Sequence, residues 1–328
     1  MSSKTDLRVD SLLRILADGK FHSGETIAEK LQVSRAAIWK LIKKLKEWQI
    51  TIYSVRGRGY QIPGGLALLD SDAISTSLSK NGSEFNKVFV LTSIDSTANF
   101  VAEQWKKAPG ESMVCIAEHQ TQGRGRKGRP WVSPFAANLY FSIGIQMPLG
   151  LSALGGISLA VGISLANTLN RYTRQSIKIK WPNDLLVDNQ KLAGILVEAS
   201  GDSNDNSFLN IGIGINWDMQ TAQGELIDQP WTNLKKLVTS ELKRSQILSD
   251  VLIDLEKTFS EYQQNGLQIL GKQWNVLSAL YRQPVTLLRA NDRINGIEAG
   301  IDPSGALRLA TDNGEKIIHS GEVSLRKR

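Results

Sequence analysis

A glycine-rich basic loop, QTQGRGRKGRPW at residues 120–131, is the part of the sequence whose residue types point most directly to chemistry. Gly123, Gly125 and Gly128 satisfy the G-x-G-x-x-G spacing of dinucleotide-binding folds, but that fingerprint must open a helix. The loop ends in Arg-Pro-Trp, which forbids a helix, so the spacing does not predict a Rossmann site. Glycines let a backbone approach an anion, and the loop's four cations would repel one another without an anionic guest. An exposed basic loop that serves only solubility is the alternative.

Two further segments, KWPND and KLAGILVE, place polar residues beside apolar runs. In the first, Lys180 would suit a phosphate, and the oxygens of Asn183 and Asp184 suit a hard cation such as Mg²⁺. The second begins with Lys191, directly before an apolar strand. Taken singly, the first segment also fits a simple Pro-Asn-Asp turn, and the second fits a solvent-facing lysine.

The sequence lacks the patterns of covalent catalysis and of structural metal sites. No G-x-S-x-G segment, zinc-ligand spacing or Walker loop occurs, and the three histidines are widely separated. Cys115 is the only cysteine, which excludes an intramolecular disulfide and fits a reducing compartment. These absences favour catalysis by positioning and electrostatics over a protein nucleophile.

The first 65 residues predict a winged helix-turn-helix. Apolar spacing and capping residues indicate three short helices, and a hairpin wing follows around the turn Arg56-Gly57-Arg58-Gly59. The third helix is expected to bury Ile38, Leu41, Ile42, Leu45 and Trp48. The third helix of this motif enters the DNA major groove. The residues expected to contact DNA are Ser34, Arg35, Lys40, Lys43, Lys44, Arg56 and Arg58.

Positive charge is concentrated in this same region. Residues 1–65 contain 12 of the 39 basic and 6 of the 32 acidic residues, which is +6 of the total net charge of +7. A local positive field suits a polyanionic partner. A small three-helix domain that contacts protein through a solvated lysine face is the alternative.

Composition and turn-forming residues divide the chain into regions. Hydrophobic residues make up 41% and charged residues 22%, as in ordinary globular proteins. The predicted divisions are a DNA-binding domain at 1–65, a linker at 66–82, a catalytic region at 83–275 and a C-terminal domain at 276–328. The N-terminus has no signal-peptide pattern, and the most apolar stretch, 151–169, contains polar residues and predicts a buried helix. We therefore expect a cytoplasmic protein with no membrane partner.

Three motifs, GRGRKGRPW, KWPND and KLAGILVE, in this order and spacing, resemble the catalytic domain of biotin–protein ligases, and so do IDST (94–97) and GIGIN (212–216). With the N-terminal region included, essentially the whole chain resembles the family of bifunctional biotin ligases that also repress the biotin operon. The resemblance implies an α+β protein. Its parts would be a winged helix-turn-helix, a central mixed α/β ligase domain of the class II synthetase-like type, and a C-terminal SH3-like β-barrel.

The resemblance also implies roles for individual residues. Lys191, Arg126 and Arg124 would be catalytic. Biotin would be bound by Ser96, Thr97, Ala98, Gln120, Arg124, Gly125, Arg126, Lys191 and Gly194. The nucleotide would be bound by Lys180, Asn183, Asn216, Trp231 and Arg326, with Mg²⁺ at Asp184 and a further role, for nucleotide or acceptor, at Glu322. The family often has Asn directly after the Ser-Thr pair, but Ala98 stands there and Asn99 follows it.

The resemblance implies two reactions and one regulatory step. Biotin and ATP, entering with Mg²⁺ and without a tightly bound metal, would give biotinyl-5′-AMP, and biotin would then pass to a lysine of the biotin carboxyl carrier protein of acetyl-CoA carboxylase. Biotinyl-5′-AMP would also promote a homodimer, through an edge near Val197 to Gly201, that binds operator DNA. The alternatives are a small-molecule-responsive transcription factor without ligase activity and a lipoate–protein ligase.

Overall fold

The computed structural model describes residues 4–85, 87–202, 205–289, 292–319 and 323–327. The described residues form three sheets, of two, seven and five strands, in chain order from the N-terminal region to the C-terminal one. The large middle sheet carries the candidate catalytic residues. The helices around it determine which of its faces stays open.

The N-terminal region forms the predicted three helices and wing. Its elements are α1 (Lys4–Leu16), α2 (Gly24–Leu31), α3 (Arg35–Glu47), β1 (Tyr53–Val55) and β2 (Gly59–Gln61). The hydroxyl of Ser34 accepts a hydrogen bond from the backbone N–H of Ala37 at 3.2 Å, which is the N-cap expected from the sequence. The region has its own apolar core, in which Ile38, Leu41, Ile42 and Leu45 of α3 are buried.

Trp48, expected in that core, is only half-buried and lies at the end of α3. Its ring stacks on Phe135 with centroids 5.6 Å apart, and it lies 5.7 Å from the ring of His119. Both partners belong to the catalytic region. Desolvation by burial lowers the pKa of His119, which favours its neutral form in this contact. Trp48 therefore joins the N-terminal region to the region that contains the central sheet.

The predicted linker, 66–82, contains a helix, α4 (Ser71–Lys80). Its apolar side packs on α7 (Arg244–Asn265), and Ile74 and Leu78 belong to the main core of the chain. The segment is thus firmly packed on the catalytic region. The chain passes from the N-terminal core to the main core just before Leu69, since Leu68 packs on the first and Leu69 belongs to the second.

The central sheet has the strand order β3-β4-β5-β9-β8-β7-β6. Its strands are β3 (Lys87–Leu91), β4 (Met113–Ala117), β5 (Asn138–Met147), β6 (Lys178–Lys180), β7 (Asp184–Val187), β8 (Gln190–Gly201) and β9 (Ser207–Asn216). The pair β3–β4 is parallel, and the other neighbouring pairs are antiparallel. The helices beside it are α5 (Thr97–Lys107), α6 (Ile157–Asn170) and α7.

The apolar stretch ending in α6 has the length and hydropathy of a membrane span, but 67% of it is buried inside the protein. It packs against α7 and against the sheet through β6, β7 and β8. This confirms the predicted buried helix, since its apolar residues are covered by protein on most sides.

The C-terminal region is an antiparallel sheet with the order β13-β12-β11-β10-β14. Its elements are α8 (Trp274–Leu277), β10 (Pro284–Arg289), β11 (Asp292–Ile301), β12 (Leu307–Thr311), β13 (Gly314–Ile318) and β14 (Val323–Lys327). The indole N–H of Trp181 donates to the carbonyl of Gly305 at 3.1 Å, which ties this region to the KWPND segment. Glu322 lies outside the described residues.

Candidate active site

A cavity of about 350 Å³ opens on one face of the central sheet. It gathers the predicted catalytic, biotin, nucleotide and metal residues, although they are spread over more than 200 positions of the chain. Those lining it are Ser96, Thr97, Ala98, Gln120, Arg124, Gly125, Arg126, Lys180, Asn183, Asp184, Lys191, Gly194, Asn216, Trp231 and Arg326. The cavity size is within the range of small-molecule sites.

One side of the cavity is a preorganised polar cluster at the start of α5. The carboxamide oxygen of Gln120 accepts from the backbone N–H of Thr97 at 2.9 Å, and the hydroxyls of Thr97 and Ser142 lie 2.7 Å apart. The amide nitrogen of Gln120 donates to the hydroxyl of Ser133 at 3.1 Å. Ser96 is 2% exposed, and its hydroxyl makes no capping bond to α5. These fixed donors and acceptors suit a small polar group of a ligand.

Trp131, which the sequence analysis did not single out, forms an apolar wall. Its indole lies flat on two glycines of neighbouring strands, since a Cβ at Gly214 would stand 2.3 Å from the ring and one at Gly194 2.9 Å. Only glycine leaves room for the ring at these places. The signal in the sequence was present, because the basic loop ends in this tryptophan and GIGIN and KLAGILVE each supply one glycine.

The cavity is also strongly cationic. Its lining as a whole includes seven basic and two acidic residues. The amine of Lys191 is 2.8 Å from a carboxylate oxygen of Asp184 and 5.3 Å from the centre of the Trp131 ring. Burial lowers the pKa of Lys180 and also that of Arg126, because each cation has lost part of its hydration. An anionic ligand would restore favourable interactions to these groups.

The basic loop has the shape of a flap that is fastened at its base. The backbone N–H of Gly125 donates to the carbonyl of Arg129 at 2.8 Å, and that of Trp131 donates to the carbonyl of Gly123 at 2.8 Å. Only one 3-10 turn, Arg126–Gly128, interrupts it. The loop does not open an α-helix, which agrees with the prediction that its glycine spacing is not a dinucleotide-binding fingerprint.

The two arginines of this flap that were predicted to be catalytic have different partners. A guanidinium nitrogen of Arg124 donates to the side-chain oxygen of Asn99 at 2.7 Å and lies 3.7 Å from Glu198. Arg126 donates to the side-chain oxygen of Asn183 at 3.2 Å. Asn99, displaced by one position from the family pattern, thus contacts the flap, while Ala98 contributes only a small apolar surface.

Carboxylates are too few here to hold a metal ion by themselves. Within the described parts of the chain, no group of three His, Cys, Asp or Glu residues could bind one. Asp184 is paired with Lys191, and the side chain of Asn183 is engaged by Arg126. One carboxylate and one amide oxygen nevertheless fit Mg²⁺ that is held mainly by nucleotide phosphates and water.

Three domain families match the sequence, each in the region where the fold places it. A helix-turn-helix domain matches residues 8–61, the biotin/lipoate A/B protein ligase family matches 90–216, and the C-terminal domain of biotin protein ligases matches 283–326. A bifunctional ligase/repressor BirA of Salmonella typhimurium is 38% identical over 316 residues, which cover 96% of this chain and 97% of the relative. The chain belongs to this family of bifunctional biotin–protein ligases and repressors.

Further relatives of this ligase agree with that assignment. The biotin–[acetyl-CoA-carboxylase] ligase of Mycobacterium tuberculosis is 30% identical over 261 residues, covering 78% of this chain and 95% of that one. The solved biotin protein ligase of Aquifex aeolicus, in complex with biotin and ATP, superposes with a TM-score of 0.63 at 28% identity and covers 74% of this chain and 100% of that one. The chain is accordingly an enzyme, a biotin–protein ligase, with a helix-turn-helix region at its N-terminus.

A loop before Trp231 supplies residues of the ligase cavity that sequence reasoning missed. They are Leu226, Ile227, Asp228 and Gln229. Leu226 is 89% exposed, an unfavourable position for a large apolar side chain unless something covers it. Gly224 makes room for the ring of Trp231, because a Cβ there would stand 2.3 Å from it. No motif in the sequence pointed to this loop, and its place in the fold identifies it.

The predicted DNA-contacting residues of the ligase lie on α3 and on the wing, far along the chain from the cavity residues. Arg35, Lys40, Lys43, Arg56 and Arg58 are exposed. Lys44 is half-buried, with its amine 5.6 Å from the centre of the Trp48 ring. Five of the six predicted cationic contacts are therefore exposed, on the helix and on the turn of the hairpin.

Proposed function

We propose that this ligase activates biotin with ATP and delivers it to the biotin carboxyl carrier protein of acetyl-CoA carboxylase. In the first step, a carboxylate oxygen of biotin attacks the α-phosphorus of ATP, and the bond to the β-phosphate oxygen breaks. The products are biotinyl-5′-AMP and pyrophosphate. In the second step, a lysine amine of the acceptor attacks the acyl carbon, loses a proton and displaces AMP.

The single observation that carries this proposal is the combination of a polar cluster and a dense cationic wall within one small cavity. Biotin has a polar ring system, an apolar chain and a carboxylate. In the proposed pose the ring system meets Thr97 and Gln120, the chain lies along Trp131, and the carboxylate reaches Lys191.

The basic residues of the cavity would reduce the electrostatic repulsion of the first step, in which an anionic carboxylate must approach a triphosphate. Lys191 and Arg126 would lower the repulsion between these anions and stabilise the charge that develops on the α-phosphate oxygens. Lys180, Asn183, Asn216, Trp231 and Arg326 would hold the nucleotide. Mg²⁺ would enter with ATP, offset phosphate charge, and meet the side chain of Asp184. No protein nucleophile is required, since positioning supplies much of the rate enhancement.

Mass spectrometry of the products tests the substrate. The purified chain is given ATP and Mg²⁺ together with either biotin or lipoate, and the acyl-adenylate is identified by its mass. We expect the biotin adduct only. A lipoyl-adenylate would make the chain a lipoate ligase, and the absence of any adduct would favour a transcription factor that binds a small molecule without chemistry.

Replacement of Arg126 by alanine is expected to weaken retention of the intermediate more than its formation. Arg126 closes the flap over the cavity through Asn183, so its loss would open a path for biotinyl-5′-AMP to leave. We expect release to accelerate by about one to two orders of magnitude, the effect of losing one charged hydrogen bond of about 1.5–3 kcal/mol. The measurement is the release rate of radiolabelled adenylate from a preformed complex.

The exposed neighbour Lys127 gives a matched comparison for this variant, because Lys127→Ala removes one positive charge from the same loop. It should change the release rate much less. Equal effects of the two substitutions would mean that net loop charge, rather than the contact of Arg126, retains the intermediate.

We further propose that the N-terminal region binds operator DNA and represses the biotin operon with biotinyl-5′-AMP as corepressor. Lysine and arginine contacts to phosphates make affinity depend on salt, with a slope of about 0.9 per phosphate neutralised. The six predicted cationic contacts per protomer would lower affinity roughly a thousandfold between 50 and 200 mM salt. Fluorescence anisotropy of a labelled duplex over this range measures the slope, and a flat response would exclude the predicted interface.

A homodimer is part of this proposal. β7 pairs with β8 only as far as Gly194, so the outer edge of β8 from about 196 to 201 has no strand beside it among the described residues. Such an edge offers unpaired backbone groups for a second copy of the chain. The predicted pairing segment Val197 to Gly201 lies here. A ligand that orders the adjacent flap, through the contact between Arg124 and Glu198, would favour pairing by linkage.

We place all these activities in the cytoplasm.

A further inference from the structure

An exposed tryptophan stands in the middle of the helix that carries the DNA-contacting cations. Trp39 is 61% exposed, although tryptophan has the largest side chain and the opposite face of α3 is buried. Residues four apart lie on one line of an α-helix, so Arg35, Trp39 and Lys43 form a single outward stripe. Lys40 lies next to that stripe.

The wing shows the same combination of exposed apolar and cationic residues. Tyr53 is 52% exposed and Val55 40% exposed on β1, and the turn that follows carries Arg56 and Arg58. Single exposed apolar residues are common on protein surfaces. Here three of the four exposed large apolar residues described in this region lie on α3 and β1, beside the predicted DNA-contacting cations, and Leu7 of α1 is the fourth. This indicates a surface that is covered when it functions.

Cationic side chains and an indole ring contact different parts of a nucleic acid. Lysine and arginine neutralise phosphates and bind any sequence alike. A flat apolar side chain makes no phosphate contact, but in the major groove it can pack on the C5-methyl group of thymine, which the other bases lack. Trp39 lies in the stripe that would enter the groove, while the charges around it fix the position of the helix on the backbone.

We propose that Trp39 is the apolar base-reading residue of α3 and recognises a thymine methyl group in the operator. The inference rests on the proposed DNA-binding function and adds to it a division of labour. Arg35, Lys40 and Lys43 supply affinity for duplex DNA, whereas Trp39 supplies preference for thymine at its position.

A duplex enriched from a random pool by the wild-type chain, with biotin, ATP and Mg²⁺ present, provides the probe. Each thymine is then replaced in turn by deoxyuridine, which removes only the methyl group. We expect the wild type to lose roughly threefold to tenfold in affinity at one thymine or two, the size of one buried methyl. Trp39→Ala should bind the enriched duplex and its deoxyuridine derivative equally.

Lys43→Ala is the matched comparison, since it alters the same stripe one turn later. It should reduce the salt slope by about one and keep the deoxyuridine penalty. Trp39→Ala should keep the salt slope and lose the penalty. Circular dichroism checks that both variants fold, which we expect because both side chains are exposed.

The outcomes separate this inference from the function on which it rests. If the wild type enriches no sequence and binds DNA without salt dependence, the DNA-binding function fails, and the role of Trp39 fails with it. If the wild type is selective but Trp39→Ala retains every thymine penalty, the DNA-binding function stands and the role of Trp39 is overturned.

Discussion

Replacing Lys191 with alanine is expected to slow formation of biotinyl-5′-AMP by about 10²- to 10³-fold, the usual cost of losing one group that stabilises transition-state charge. Lys191 is the cation best placed for that role. It stands between the apolar wall of Trp131 and the carboxylate of Asp184, and its side chain is only 16% exposed. When the anionic substrates are bound, its amine can shift from Asp184 towards them.

The rate of pyrophosphate release with saturating biotin and ATP measures this effect. Lys191→Arg keeps the charge but changes its position, so an intermediate rate would show that geometry matters as well as charge. Asp184→Asn tests whether the ion pair itself is needed. Lys272→Ala, which removes an exposed lysine that does not line the cavity, is the control. An unchanged rate for Lys191→Ala would remove Lys191 from the catalytic residues.

Replacing Glu118 with alanine is expected to reduce the free energy of unfolding by about 3–5 kcal/mol, the loss typical of a broken buried ion pair. Glu118 is 4% exposed, and its carboxylate lies 2.7 Å from a guanidinium nitrogen of Arg244, which is equally buried. The other carboxylate oxygen accepts from the backbone N–H of Leu69. Without Glu118, the buried guanidinium of Arg244 would lose its carboxylate partner and would keep the neutral carbonyls of Asn138 and Ala67.

This pair also fixes the connection between the regions of the chain. Arg244 donates to the carbonyls of Asn138 and of Ala67, and Glu118 follows β4 directly. The substitution should therefore loosen the segment that joins the DNA-binding region to the sheet, in addition to lowering stability.

Urea denaturation followed by tryptophan fluorescence measures the change. Glu315→Ala is the comparison, since Glu315 forms an ion pair with Arg308 at 2.9 Å on the surface. Exposed pairs of this kind often contribute nothing measurable. If both substitutions lowered the denaturation midpoint equally, burial of the Glu118 pair would not be the source of its contribution.

The sequence by itself determined the elements and the motifs of this protein. The apolar run that follows Lys191 predicted strand β8, because a run of apolar residues is a local property of the sequence. The spacing of Ile38, Leu41, Ile42 and Leu45 predicted the buried face of α3, because helical periodicity is also a local property. The three motifs of the catalytic region were identifiable because each is a short run of consecutive residues.

Only the tertiary structure decided which of these segments meet. The indole of Trp131 rests on Gly194 and Gly214, residues 63 and 83 positions further along, and no local pattern states that pairing. Trp48 packs at the border of the N-terminal core, where its ring stacks on Phe135, a residue 87 positions further along the chain. Burial and hydrogen bonding between distant segments depend on the whole packing arrangement. The sequence therefore revealed the parts of the cavity, and the packing brought them together.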